Sequence, residues 1–106
     1  MIVTVTEENF SEVIHSPNNV ILHFWSDFCA PCKMSSNMLK RIEQKNPKNI
    51  IIGEINSNQH PDWSEAFSIQ STPTSILFSN GKYKSRMSGA HPESIIEGWI
   101  KKYIDN

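Results

Sequence analysis

Short apolar runs alternate along this chain with stretches in which apolar residues return at helical spacing, the two periods that separate strands from helices. Residues 2–5 are rich in β-branched side chains and predict a short strand. Thr6 is expected to cap the helix that follows. Glu7 and Glu8 stand in its first turn, where the helix dipole favours acids, and Phe10, Val13 and Ile14 share one face. Pro17-Asn18-Asn19 breaks this helix. Residues 20–25 are apolar except at His23, the pattern of a strand buried on both faces in the centre of an α/β sheet. A long helix is predicted over residues 30–45. Met34, Met38, Leu39 and Ile42 form its apolar stripe and Lys40, Arg41, Glu43 and Lys45 its wet side. Asn46-Pro47 is expected to end it.

Residues 50–55 read as another buried strand, with Glu54 the anomaly, and residues 61–68 as a short helix. Residues 75–78 and 82–88 predict a hairpin closed by Asn80-Gly81, a type I′ turn signal. Pro92 suits the first position of a last helix that buries Ile95, Ile96, Trp99, Ile100 and Ile104. The order βαβαβαββα predicts an α/β fold, a partly parallel sheet covered on both faces with one antiparallel hairpin at its edge. No linker, repeat or low-complexity segment divides the chain, so residues 1–106 are expected to form a single domain.

Charge narrows the function classes. Ten Lys and Arg against eleven Asp and Glu leave a net charge of −1 and no basic stripe, which argues against a nucleic-acid or anionic-membrane partner. No apolar run approaches the roughly 20 residues that span a bilayer. The start of the chain lacks the basic and apolar pattern of a secretory signal, so the cytoplasm is the expected compartment. The chain carries only 2 cysteines, which is not a structural disulfide framework.

Those cysteines carry the candidate chemistry. In Trp25-Ser26-Asp27-Phe28-Cys29-Ala30-Pro31-Cys32-Lys33 a predicted strand leads into a C-x-x-C that opens a helix. Helix-spaced residues i and i+3 share a face, so the two sulfurs are close enough to bond. Cys29 sits where unpaired backbone N–H groups and the helix dipole favour a thiolate, which makes it the expected nucleophile. Cys32, one turn further in, is expected to be more buried and to resolve a mixed disulfide. Pro31 pre-sets the backbone of the first turn. Two plainer readings compete. Half a zinc site is one, but His15, His23, His60 and His91 are scattered without ligand spacing. An inert disulfide is the other, but so short a loop gains little entropy on closure and a reducing compartment would open it.

Taken together, WSDFCAPCK, Thr72-Pro73-Thr74 before a strand, the Asn80-Gly81 turn and Gly89 after the last strand resemble the thioredoxin family over essentially the whole chain. The resemblance implies the thioredoxin fold, a central mixed sheet of about five strands with four helices on its two faces. It implies a cis peptide at Thr72–Pro73 and pairing of the backbone around Thr72 with an extended substrate segment. Trp25, Phe28 and Ala90 would flank the reactive sulfur, with Ala30 and Pro31 also at the substrate surface. Trp25 reads equally well as a packing residue, and Trp63 and Trp99 read only as packing residues.

Departures from the family pattern are informative. Ala30 replaces the usual glycine between the cysteines and narrows backbone freedom there, so a different redox potential is expected. Phe28 replaces a tryptophan, keeping an apolar surface but losing the indole donor, and Asn37 replaces a helix-kinking proline. His23 and Glu54 stand where the family has a buried aspartate and a lysine. Both interrupt buried runs, so they are expected to satisfy one another. His23 is expected to take the proton of Cys32 during its attack, directly or through a water, with Glu54 orienting the ring and stabilising the imidazolium; a core pair with no kinetic role is the alternative.

The leading expectation is a thiol–disulfide oxidoreductase that reduces protein disulfides as a monomer. A thioredoxin reductase or similar flavoenzyme would restore its dithiol, and neither cofactor nor metal is needed because sulfur carries the electrons. The alternatives are a dedicated-partner oxidant or isomerase, a thioredoxin-like adaptor that binds without turnover, and a dimer bridging its C-x-x-C pairs through a metal.

Overall fold

A computed structural model describes residues 1–45 and 50–104. In chain order the elements are β1 (Ile2–Thr4), α1 (Phe10–Ile14), β2 (Asn19–Trp25), α2 (Ala30–Lys45), β3 (Ile50–Asn56), α3 (Pro61–Ala66), β4 (Thr74–Ser79), β5 (Lys82–Ser88) and α4 (Glu93–Tyr103). This is the predicted order. The strands form one 5-stranded sheet in the order β1-β3-β2-β4-β5. β1, β3 and β2 run parallel, and β4 and β5 are antiparallel additions at the other side. With the helices on both faces, the fold is the mixed α/β sheet expected for a thioredoxin-like chain.

The unbroken apolar run of β2 is explained by its place. It lies between β3 and β4 with both faces covered, and Val20, Ile21, Leu22 and Phe24 are wholly buried. Alternate residues go to opposite faces. Ile21 packs with Leu39 and Ile42 of α2 and with Ile96, Trp99 and Ile100 of α4. Val20, Leu22 and Phe24 pack with Val13 of α1, Ile76 and Phe78, and against the half-buried Phe10, Trp63 and Phe67. Gly53 allows the close approach of these layers, since a Cβ there would lie 2.9 Å from Val5 Cγ2. On the surface, a hydrogen bond from Lys45, helped by Arg41, holds the Glu93 carboxyl below the usual carboxylate range and ties α2 to α4.

Several local expectations are corrected. Met34 is 56 % exposed and Ile95 52 % exposed, so neither belongs to the buried face assigned to it. Each lies at the flank of its stripe, where the helix has turned away from the sheet. Thr6 does not cap α1 directly. Thr6 and Asn9 exchange side-chain and backbone bonds in a turn before the helix, which starts only at Phe10. Pro92 is the N-cap of α4 rather than its first residue, and α3 stops at Ala66. The expected helix end at Asn46-Pro47 lies outside the described residues. The hairpin turn is as expected, with φ of 54° at Asn80 and 76° at Gly81.

Candidate active site

β2 delivers the chain to the C-terminal edge of the sheet, and the C-x-x-C begins there. Cys29 is the N-cap of α2: its carbonyl accepts the N–H of Cys32 at 3.1 Å and of Lys33 at 3.4 Å. Its sulfur takes the place of a capping oxygen, accepting the Cys32 N–H at 3.2 Å. That contact and the dipole of a 16-residue helix both favour negative charge on Cys29 Sγ. Cys29 and Cys32 are bonded as a disulfide, their Cα atoms 5.2 Å apart. Cys29 is partly exposed and Cys32 is 3 % exposed, the expected division between an accessible and a sheltered sulfur.

The Thr72–Pro73 peptide is cis, as expected, and faces the disulfide. Cys29 Sγ lies 3.8 Å from the Thr72 carbonyl oxygen and 4.0 Å from its hydroxyl. Two bonds steady this loop. The Thr72 hydroxyl meets Ser26 Oγ at 2.6 Å, and the Gly89 N–H donates to the Pro73 carbonyl at 2.8 Å. Gly89 has φ +84°, a conformation that favours glycine, and places Ala90 at the end of β5. Thr72 and Ala90 are half-buried, Ala30 and Pro31 exposed, Trp25 half-buried and Pro73 buried.

Phe28 is the most unusual residue of the surface. Its side chain is fully exposed at 108 %, and its φ of +57° is one that bulky residues rarely adopt. Holding it so costs of order 1–3 kcal/mol. Its neighbour Asp27 is tied to the loop after β3: the Asp27 N–H donates to Asn58 Oδ1 at 2.8 Å, and Asn56 Nδ2 donates to Asp27 Oδ1 at 3.3 Å. Beside Thr72 opens a groove of about 450 Å³ whose lining includes Ser57, Asn58, Pro61, Glu65 and Gln70. Ser57 Oγ is buried there without a hydrogen-bond partner.

Beneath the cysteines, His23 and Glu54 are register partners on β2 and β3, and His23 also faces Ser75 across β4. His23 is wholly buried, and its Nδ1 lies 2.6 Å from Glu54 Oε1, so the two do satisfy one another. The other ring nitrogen, Nε2, lies 3.0 Å from Ser35 Oγ. Ser36 Oγ sits 3.4 Å from both His23 Nδ1 and Glu54 Oε2. Sequence reasoning missed Ser26, Ser35, Ser36, Asn56 and Asn58. A signal for Ser35 was present: it follows Cys32 by one turn on the stripe continued by Leu39 and Ile42, a polar residue inside an apolar face. No group of metal-ligating side chains occurs among the described residues, and no helix there is long and apolar enough to cross a membrane.

Comparison with known proteins agrees with this geometry. Residues 1–102 match the sequence profile of the family described as Thioredoxin. The chain is 33 % identical over 101 residues to a thioredoxin of Porphyra purpurea, covering 94 % of each. It is 32 % identical over 105 residues to one of Buchnera aphidicola subsp. Acyrthosiphon pisum, covering 98 % of this chain and 94 % of the relative. It is 30 % identical over 105 residues to one of Rickettsia prowazekii, covering 98 % and 100 %.

Proposed function

The chain belongs to the thioredoxin family, and from that premise we propose that it is a general reductant of protein disulfides. The family and the paired cysteines together point to thiol–disulfide exchange. In the reductive direction, Cys29 thiolate attacks one sulfur of a substrate disulfide and a mixed disulfide forms. Cys32 then attacks Cys29 Sγ, and the substrate leaves with two thiols. The observation that carries this reading is Cys29 Sγ at the N-cap of α2, receiving the Cys32 N–H at 3.2 Å on the partly exposed side of the pair.

The remaining site residues are assigned around that step. His23 takes the proton that Cys32 gives up, and Glu54, 2.6 Å from its Nδ1, holds the ring and stabilises the imidazolium. The backbone around Thr72 and Pro73 pairs with an extended substrate segment. Trp25, Ala30, Pro31 and Ala90 border it, and Phe28 supplies apolar contact. No bound cofactor takes part. A flavoenzyme of the thioredoxin reductase type restores the dithiol from a nicotinamide nucleotide. We read residues 1–106 as one unit acting as a monomer in the cytoplasm, where dithiols stay reduced.

The test is insulin-disulfide reduction, driven once by dithiothreitol and once by thioredoxin reductase with its nicotinamide cofactor. Turnover is expected with both. Turnover with dithiothreitol alone would replace a general reductant by one with a dedicated electron donor, and none with either would remove the activity. Phe28 offers a second measurement. Covering an exposed phenyl ring contributes about 1.5–3 kcal/mol. Phe28→Ala is therefore expected to raise KM for a protein disulfide about ten- to a hundredfold, each 1.4 kcal/mol being a factor of ten. The thermal midpoint should not fall. An unchanged KM would take Phe28 out of the recognition surface.

A further inference from the structure

We propose that Ser35 is the relay through which the proton of Cys32 reaches His23 when the mixed disulfide is resolved. The inference deepens the proton role assigned to His23 above and rests on it. The geometry leaves His23 no free nitrogen aimed at a sulfur. Nδ1 is held by Glu54 at 2.6 Å and Nε2 meets Ser35 Oγ at 3.0 Å. With a carboxylate at Nδ1, that nitrogen carries the proton of the neutral ring, and Nε2 is the acceptor. Ser35 Oγ–H then donates to Nε2, and its lone pairs are left for another donor. Ser35 stands one helical turn after Cys32, and both are buried at 3 % exposure. Residues so spaced have Cβ atoms about 5–6 Å apart, within reach of an S–H···O contact once Cys32 is a thiol.

The groups that face the ring are few. β3 presents the Glu54 carboxylate, α2 presents the Ser35 and Ser36 hydroxyls with Cys32 a turn away, and β4 presents Ser75 beside it. Ser36 bonds on the Glu54 side of the ring and is only half-buried, so the relay falls to Ser35. The step balances as follows. Ser35 Oγ accepts the proton of Cys32 Sγ while passing its own to His23 Nε2. The freed electron pair on Cys32 forms the bond to Cys29 Sγ. The bond from Cys29 to the substrate sulfur breaks, and that sulfur leaves as a thiolate with its electron pair. The neutral thiol and imidazole become a thiolate on the product and an imidazolium held by Glu54.

Stopped-flow reaction of the reduced protein with limiting 5,5′-dithiobis(2-nitrobenzoate) tests this, because the first thionitrobenzoate reports attack by Cys29 and the second reports resolution by Cys32. Ser35→Ala is expected to slow the second phase about tenfold at neutral pH, part of the ~10²–10⁴ that positioned acid–base groups supply. It should also move the rise of that phase with pH upward toward the range of an ordinary thiol, because without the relay only thiolate already formed on Cys32 attacks. Ser35→Thr, which keeps the hydroxyl, retains both rate and profile. The first phase reports that the fold and the nucleophile are intact in each variant. His23→Asn is run beside them. If it leaves the second-phase profile unchanged, the proton role of His23 fails and the relay with it. If it moves that rise to higher pH but Ser35→Ala does not, only the relay is overturned.

Discussion

Cys29→Ser is expected to abolish disulfide reduction, bringing insulin turnover down to the rate of dithiothreitol alone. A serine hydroxyl in the same N-cap keeps the Cys32 N–H bond and the fold, but it is not ionised near neutral pH and is no nucleophile toward sulfur. Cys32→Ser is expected to do something different. Cys29 still attacks, but nothing on α2 releases the substrate, so the mixed disulfide accumulates. Mass spectrometry of Cys32→Ser mixed with oxidised insulin should find one insulin chain per protein, lost on adding excess thiol. This asymmetry follows from position, since Cys29 is partly exposed and Cys32 is 3 % exposed one turn behind it. Trapping by Cys29→Ser instead of Cys32→Ser would reverse the assignment of the two sulfurs.

Phe24→Ala is expected to cost about 3–5 kcal/mol of stability, the usual range for emptying a buried phenyl site. Phe24 has 0 % exposure in the central strand, and its ring lies 5.6 Å from that of Phe67. Its neighbours Val5, Ile55 and Ile76 are buried with it and belong to three other strands or strand ends, so they cannot close the void without moving the sheet. A small domain has only about 5–15 kcal/mol in all. At about 4–8 °C per kcal/mol, the thermal midpoint should fall by roughly 12–40 °C. A loss below about 1 kcal/mol in denaturant unfolding would mean the site collapses freely, contrary to its packing. The two residues beside Phe24 are His23 and Trp25, so the same strand that fills the core also carries residues of the candidate site.

The legible parts of the site are those written in consecutive residues. The residue pattern places Cys29 at a helix entrance and Cys32 a turn inside, and the geometry agrees. His23 and Glu54 were visible as polar interruptions in buried runs, and a buried polar group without a partner is costly enough to make their pairing predictable. The second partner of the ring was not foreseen. A serine in a helix is compatible with either face, and Ser35 acquires meaning only when the helix is laid on the strand that carries His23. Phe28 was expected to be apolar and near the sulfur, but its full projection into solvent depends on a positive φ that its residue type disfavours. Asn56 and Asn58 carry no local signal, and their bonds to Asp27 arise because the segment after β2 meets the end of β3 and the turn that follows it. Met34 and Ile95 show the converse, apolar residues that helical spacing assigned to the core and that the angle of the helix on the sheet left in water.

By itself the sequence determined the kind of each element, the α/β alternation and the chemistry of the C-x-x-C, because periodicity, turn residues and helix-end electrostatics act over a few consecutive residues. Only the tertiary structure decided which strands adjoin, that Thr72 lies against Cys29 from 43 residues away, and that His23 is held between Glu54 and Ser35. Those contacts join segments far apart in the chain. They form where the burial of all the apolar faces together is best satisfied, and no local pattern carries that information.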